Sequence, residues 1–163
     1  MTRIEVLPAA ESDRDIIISD MQNAFQAEYE THHKVKTDDY VLPIEDIEEL
    51  LNEPGNTLYK AVMDGKIVGA AIVYADKNSG YGMLGYTYVR TELQNQGIGT
   101  EMWKCIEKMH SEVTEWEVHV WICDSDRTLP FYTRKCGFKL SEFYENLPLE
   151  ERGSCWPLYK RMK

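Results

Sequence analysis

Leu84-Gly85-Tyr86-Thr87-Tyr88-Val89, followed after four residues by Gln94-Asn95-Gln96-Gly97-Ile98-Gly99, decides how this chain folds. The first six residues read as a strand. The second six make a glycine-bearing turn that opens into an amphipathic run from Ile98 to Val113, a strand-to-helix junction. The first backbone N–H groups of a helix lack intrahelical partners, and the aligned peptide dipoles make that end positive, so main chain alone can hold an anion there. Glycine admits the anion where a side chain would block it. Taken alone, the six residues suit a pyrophosphate cradle and an ordinary tight turn equally, and the flanking sequence must choose.

Upstream, Thr57 to Met63 and Lys66 to Tyr74 are β-rich runs joined by Asp64-Gly65, which suits a type I′ hairpin because both central residues need positive φ. Asn78-Ser79-Gly80 turns into Tyr81 to Val89, so an antiparallel meander precedes the glycine turn. Nearer the start, Arg3 to Leu7 alternates as a strand. Ser12 with Asp15 resembles a capping box for a helix carrying Ile16, Ile17, Met21, Phe25 and Tyr29. His32 to Tyr40 reads as a polar loop, and Ile44 to Leu51 as a short helix with Glu45, Asp46, Glu48 and Glu49 on its outer side. Downstream, Trp116, Val118, Val120 and Ile122 alternate as a strand. Thr128 to Cys136 reads as a helix with Pro130 in its first turn and Gly137 as its stop, and Phe138 to Tyr144 and Cys155 to Lys160 close the chain as strands. The order predicts an α/β fold, a mixed and mostly antiparallel sheet of about seven strands with helices on both faces.

Residues 1–163 read as one domain, long enough to bury a core, and no run is apolar enough to span a bilayer. No N-terminal leader is visible, so a cytoplasmic protein is expected. Cys105, Cys123, Cys136 and Cys155 are scattered, without a Cys-X-X-Cys pair or clustered His, which speaks against both a metal site and a disulfide framework. A net charge of −10 disfavours nucleic-acid and anionic-membrane partners and would attract cationic small molecules or basic peptides, although acidity also simply keeps a protein dispersed. A dinucleotide-binding turn would want glycine at Met102 and a parallel βαβ unit upstream; a P-loop would want Gly-Lys-Ser/Thr where Glu101-Met102-Trp103 stands.

With those excluded, the chain resembles the GNAT superfamily of N-acetyltransferases. The resemblance is carried by Gln94, Gly97 and Gly99, as Gln-X-X-Gly-X-Gly after a strand, and by Pro130-Phe131-Tyr132 before Gly137-Phe138. It implies acetyl-CoA as cosubstrate and no metal. It also implies a sheet splayed between the Leu84 to Val89 and Trp116 to Ile122 strands, with pantetheine in the gap. Donor contacts would then come from Val89, Gln94, Asn95, Gln96, Gly97, Ile98, Gly99 and Thr100, with Ser125 or Asp126 at the place where the family often carries Asn. Tyr132 would be the general acid for the departing thiolate. Four residues separate it from Gly137 where the family usually has three, so that anchoring on Gly137-Phe138 puts Thr133 in its place; threonine is a poor acid, which favours Tyr132.

Direct acyl transfer also needs help to deprotonate the acceptor, since holding a lysine-like amine neutral at pH 7 costs about 4 kcal/mol. The Leu84 to Val89 strand has no carboxylate. His119, and Glu117 two residues before it on the same strand face, are the candidate bases, while Tyr86 and Tyr88 are candidate acceptor-lining residues. His32 and His33 lack a third ligand and fall where the family roofs the acceptor site. Cys123 as an acyl-carrying nucleophile has no visible activator. The sequence thus implies an N-acetyltransferase acting on a primary amine of a small molecule or peptide, and leaves open a CoA-binding sensor of the same fold, another acyl group, and a homodimer.

Overall fold

Asp64 and Gly65 both adopt positive φ, 53° and 78°, and fold β2 (Asn56–Met63) back along β3 (Lys66–Asp76). The structure, a computed structural model, describes residues 4–34, 36, 39–121, 125–142, 146–148 and 155–162. With β1 (Glu5–Pro8), β4 (Tyr81–Val89), β5 (Glu115–Trp121), β6 (Lys139–Leu140) and β7 (Cys155–Arg161), the strands form one seven-stranded sheet in the order β1-β2-β3-β4-β5-β7-β6. Among the described residues, β4 with β5 is the parallel pair and the other pairings are antiparallel. The expected mixed, mostly antiparallel sheet is what the chain forms.

Helices cover both faces. On one, α3 (Ile98–Met109) buries Ile98, Met102, Trp103 and Ile106 against Leu84, Trp116, Val118, Val120 and Leu158. On the other, α1 (Arg14–His33) and α2 (Ile44–Asn52) bury Ile17, Ile18, Met21 and Ile47 against Ala70, Ile72 and Tyr88. Burial of each such side chain contributes about 1.5–3 kcal/mol. Gln22 Nε2 donates to Leu42 O at 3.1 Å, and Val41 N to Gln26 Oε1 at 2.9 Å, fastening the approach to α2 onto α1. Lys160 on β7 donates to Glu107 of α3 and, at 2.7 Å, to Cys136 O, drawing the end of the sheet onto the helical layer.

Several local expectations change. The Ser12–Asp15 box is not the start of α1: a 3-10 turn, Glu11–Asp13, precedes it, and the Asp13 carboxylate accepts from Ala10 N at 2.8 Å. This turns Ile16 outward, 52% exposed, and puts Ile17 and Ile18 in the core. The helix runs on to His33, so His32 and His33 sit in its last turn and not in a loop, with Lys34 in the left-handed conformation after them. Strand β6 ends at Leu140 instead of Tyr144; residues 143–145 lie outside the described set.

The β4–β5 pairing positions the site. It runs from Tyr81↔Glu115 to Leu84↔Val118 and stops. At that point β4 carries a bulge: Thr87 pairs Ala71 and Leu84 pairs Val73, leaving Gly85 and Tyr86 opposite Ile72 alone. A bulge bends its strand and increases the local twist. The second half of β4 therefore leaves β5 while staying on β3.

Tyr88, 4% exposed, packs beneath α1; burial first, then the Asp20 carboxylate, push its phenol well above the usual tyrosine range. Tyr81 is raised likewise by burial and then Glu117. A phenol whose pKa is raised by folding stabilises the fold fully below the unfolded value of about 10, and that contribution is lost as pH climbs toward the folded value. Thermal melts of the wild type should fall progressively above pH 10. Tyr88→Phe, which removes a hydroxyl without a well-formed partner, should melt no lower at pH 7 and show a shallower alkaline decline.

Candidate active site

After β4, a 3-10 turn (Thr91–Leu93) leads to Asn95 and Gly97, both at positive φ, 65° and 84°. Helix α3 follows, and its first turn closes with Glu101 N donating to Gly97 O at 3.0 Å. The amides of Ile98, Gly99 and Thr100 precede that bond and are the donors a helix start leaves over. A Cβ on Gly97 would meet nothing within 4 Å, so its glycine is set by conformation and leaves open space over the amides. Gly99 has a different reason. A Cβ there would come within 3.2 Å of the Phe131 ring, so this glycine serves helix packing.

Arg90 N donates to Val68 O on β3 at 2.9 Å. Backbone groups alternate sides along an antiparallel strand, so those of Val89 point into the gap that β5 leaves. The Gln94 carboxamide folds back into this gap, and its Nε2 donates to Val89 O at 3.0 Å.

Across the gap, Glu117 and His119 share one face of β5, on the side of α1 and α2. His119 Nε2 is in short contact with Glu117 Oε2, while the other carboxylate oxygen accepts from the Tyr81 hydroxyl at 2.9 Å. His119 is the first residue past the last β4–β5 pair whose side chain takes this face. The sequence offered Glu117 and His119 as separate bases, and the fold joins them, with Tyr81 as a third member that the sequence reading missed. Tyr86 and Tyr88 part company. Tyr86 packs edge-on against Phe25 with ring centroids 5.9 Å apart, and burial, then Asp46 of α2, raise its phenol. Tyr88 belongs to the core under α1.

Helix α4 (Ser125–Pro130) begins three residues before the expected Thr128, which puts Pro130 at its end and not in its first turn. Proline removes an N–H and crowds the preceding turn. The chain answers by widening: Phe131–Lys135 is a π-helical turn in which Cys136 N reaches back five residues to Phe131 O at 3.2 Å. One such turn absorbs one extra residue, which is the excess between Tyr132 and Gly137. Tyr132 and Phe138 still meet, with ring centroids 5.7 Å apart and Phe138 N donating to Tyr132 O at 2.9 Å. Thr133 Oγ1 is spent on Leu129 O at 2.8 Å. Ser125 and Asp126 fall in the first turn of α4, but their side chains, and all of Cys123, lie outside the described residues.

A cleft of about 300 Å³ opens between the end of α1 and this region, lined by Glu28, Thr31, His32, Thr91, Gln94 and Arg127 among others. Arg127 donates to Gln94 Oε1 at 2.5 Å and pairs with Glu28 Oε1. Neither Glu28 nor Arg127 stood out in the sequence, because the pair joins two helices far apart along the chain. Among the described residues no group of three or more His, Cys, Asp or Glu is placed to hold a metal, and no helix is long and apolar enough to cross a membrane.

An open sheet parted beside a glycine-led helix start is the frame of an acetyltransferase fold. The family model described as the Acetyltransferase (GNAT) family matches residues 18–138, and the chain belongs to that family. PaiA N-acetyltransferase from Thermoplasma acidophilum, solved with coenzyme A, superposes with a TM-score of 0.75 at 16% identity, covering 98% of this chain and 99% of that one. The ribosomal-protein-S18-alanine N-acetyltransferase of Escherichia coli gives 0.67 at 11% identity, covering 99% and 95%. The uncharacterized protein YrkN of Bacillus subtilis is 38% identical over 99 residues, 61% of this chain and 53% of YrkN, so the chain spans about half the length of that relative.

The two glycines should separate experimentally. Gly97→Ala pays the left-handed penalty, about 1 kcal/mol of stability, and Gly97→Asn less, since asparagine tolerates that region. Gly99→Ala instead pushes on Phe131, so its cost should shrink when combined with Phe131→Leu. Denaturant melts of these single and double variants provide the check.

Proposed function

We propose that the protein transfers the acetyl group of acetyl-CoA to a primary amine of a small molecule or peptide by direct attack on the thioester. The observation that carries this reading is the freed edge of β4 running into the unpaired amides of α3, a backbone groove that ends at a helix start suited to an anion. Main-chain N–H groups from Gln96 to Thr100 would take the donor's diphosphate, and Val89, turned into the groove, would pair with the pantetheine arm. Acetyl-CoA supplies the activated acyl carbon; the rest is the work of this chain's side chains.

His119, held by Glu117, accepts the proton that the acceptor ammonium must lose, directly or through water. Glu117 keeps the imidazole oriented and offsets its charge once protonated, and Tyr81 fixes the carboxylate. After attack the nitrogen sheds its second proton to water, and Tyr132 gives its hydroxyl proton to the departing sulfur and regains one from solvent, so of the two protons the ammonium loses one ends on the thiol and one in solvent. Asp46 and Glu49 beside Tyr86, with Glu117, make the acceptor side acidic, which suits a cationic amine.

Steady-state assays over a panel of amines, following thiol release, test the reading. Kinetics should be sequential, with Tyr132→Phe lowering kcat at least tenfold at nearly unchanged CoA affinity. His119→Ala should lose 10²-fold or more, consistent with the usual worth of a positioned base, and recover in part with added imidazole. Binding of CoA without turnover on any amine would instead make the chain a CoA-responsive module. Turnover with propionyl- or succinyl-CoA ahead of acetyl-CoA would change the acyl group.

A further inference from the structure

The Arg127 guanidinium ties three elements together at the mouth of the groove. One nitrogen donates to Gln94 Oε1 at 2.5 Å and the other pairs with Glu28 of α1. Gln94 Nε2 in turn donates to Val89 O at 3.0 Å and lies 3.4 Å from the same Glu28 oxygen. The bridge therefore crosses the very groove in which Val89 presents its backbone. Arg127 is 48% exposed against 18% for Glu28, so the arginine is the partner with freedom to swing. It also stands one turn before Phe131, on the same side of the helix, and Phe131 packs on Gly99 in the first turn of α3. Through Gln94 the guanidinium sits against the loop that leads into that helix.

We infer that Arg127 is a switchable contact for the donor's diphosphate, parked on Glu28 and Gln94 until the donor arrives. The inference rests on the acyl-CoA reading above and adds to it a residue outside the glycine turn, with a rival anion, Glu28, built into the protein. The diphosphate replaces the Glu28 carboxylate as acceptor for the guanidinium, a charge-assisted and potentially bidentate contact. An amide N–H of the pantetheine arm replaces Gln94 at Val89 O.

Opposite signs in two variants make the idea testable by calorimetric titration of the full chain with CoA, dephospho-CoA and pantetheine. Arg127→Ala should weaken CoA and dephospho-CoA alike, by about tenfold, and leave pantetheine, which has no phosphate, unchanged. Glu28→Gln, which removes the rival carboxylate, should tighten CoA by roughly threefold. Arg127→Lys should fall between wild type and the alanine variant, and melts of all three should match wild type within a few degrees. An unchanged CoA affinity in Arg127→Ala overturns the inference. So does a loss that extends to pantetheine, which would mean that the bridge merely supports the groove, or a Glu28→Gln variant that weakens CoA. A loss confined to CoA and absent with dephospho-CoA moves the contact to the 3′-phosphate and overturns the diphosphate assignment. Failure of the wild type to bind CoA at all sinks the acyl-CoA reading itself, and is separately visible.

Discussion

The parting of β4 from β5 after Leu84 and Val118 is the constraint on which the rest of the molecule turns. An interior strand that loses one neighbour leaves N–H and C=O groups without ladder partners, and each such group, if buried and unpaired, costs about 1–3 kcal/mol. The sheet tolerates this because β3 holds β4 along both of its halves, across the bulge, while β7 holds β5 over seven residue pairs. The opened edge is thus suspended between two firm ladders. In the free protein Gln94 satisfies part of it by reaching back to Val89 O. The same edge that is a liability for stability is what a ligand with amide groups can complete.

Architecture was largely legible in the sequence because its signals are local. Asp64-Gly65 specifies its turn through φ, the alternation of Trp116, Val118 and Val120 specifies a half-buried strand, and the glycine turn announces a helix start. The misread pieces are those in which tertiary contacts outvote local pattern. Asp13 captures Ala10 N, and the true start of α1 shifts its buried face from Ile16 to Ile17 and Ile18. His32 and His33 look like loop residues in isolation, but α1 carries them in its last turn and stops at Lys34, whose left-handed conformation ends the helix with its N–H on Glu30 O.

Within the candidate site, spacing arguments brought forward the glycine turn and Tyr132 but not the partnerships. Glu117 and His119 are two apart on a strand, which shows a shared face and nothing about which assists the other. The register Tyr81↔Glu115 is what brings the Tyr81 hydroxyl to Glu117, and register is a long-range property. The extra residue before Gly137 counted against Tyr132 as long as the helix was taken as regular. The π turn after Pro130 accommodates the extra residue, since i→i+5 bonding lets five residues occupy the place of four, and Tyr132 packs on Phe138.

One tension remains in the charge. A chain of net charge −10 is an unpromising host for a polyanionic donor if total charge governs binding. It does not, because screening at physiological ionic strength limits the reach of surface charges to about 8 Å. Inside that radius the donor would meet the positive end of α3 and the Arg127 side chain, while the acidic residues of α2 and β5 lie on the acceptor face. The two substrates proposed here carry opposite charges, and Arg127 meets its counter-charge locally, in Glu28 of α1. Acidity that would be uninformative as a total becomes meaningful once it is assigned to side chains: Glu28 would compete with the donor for Arg127 at contact, while Asp46, Glu49 and Glu117 would favour a cationic acceptor.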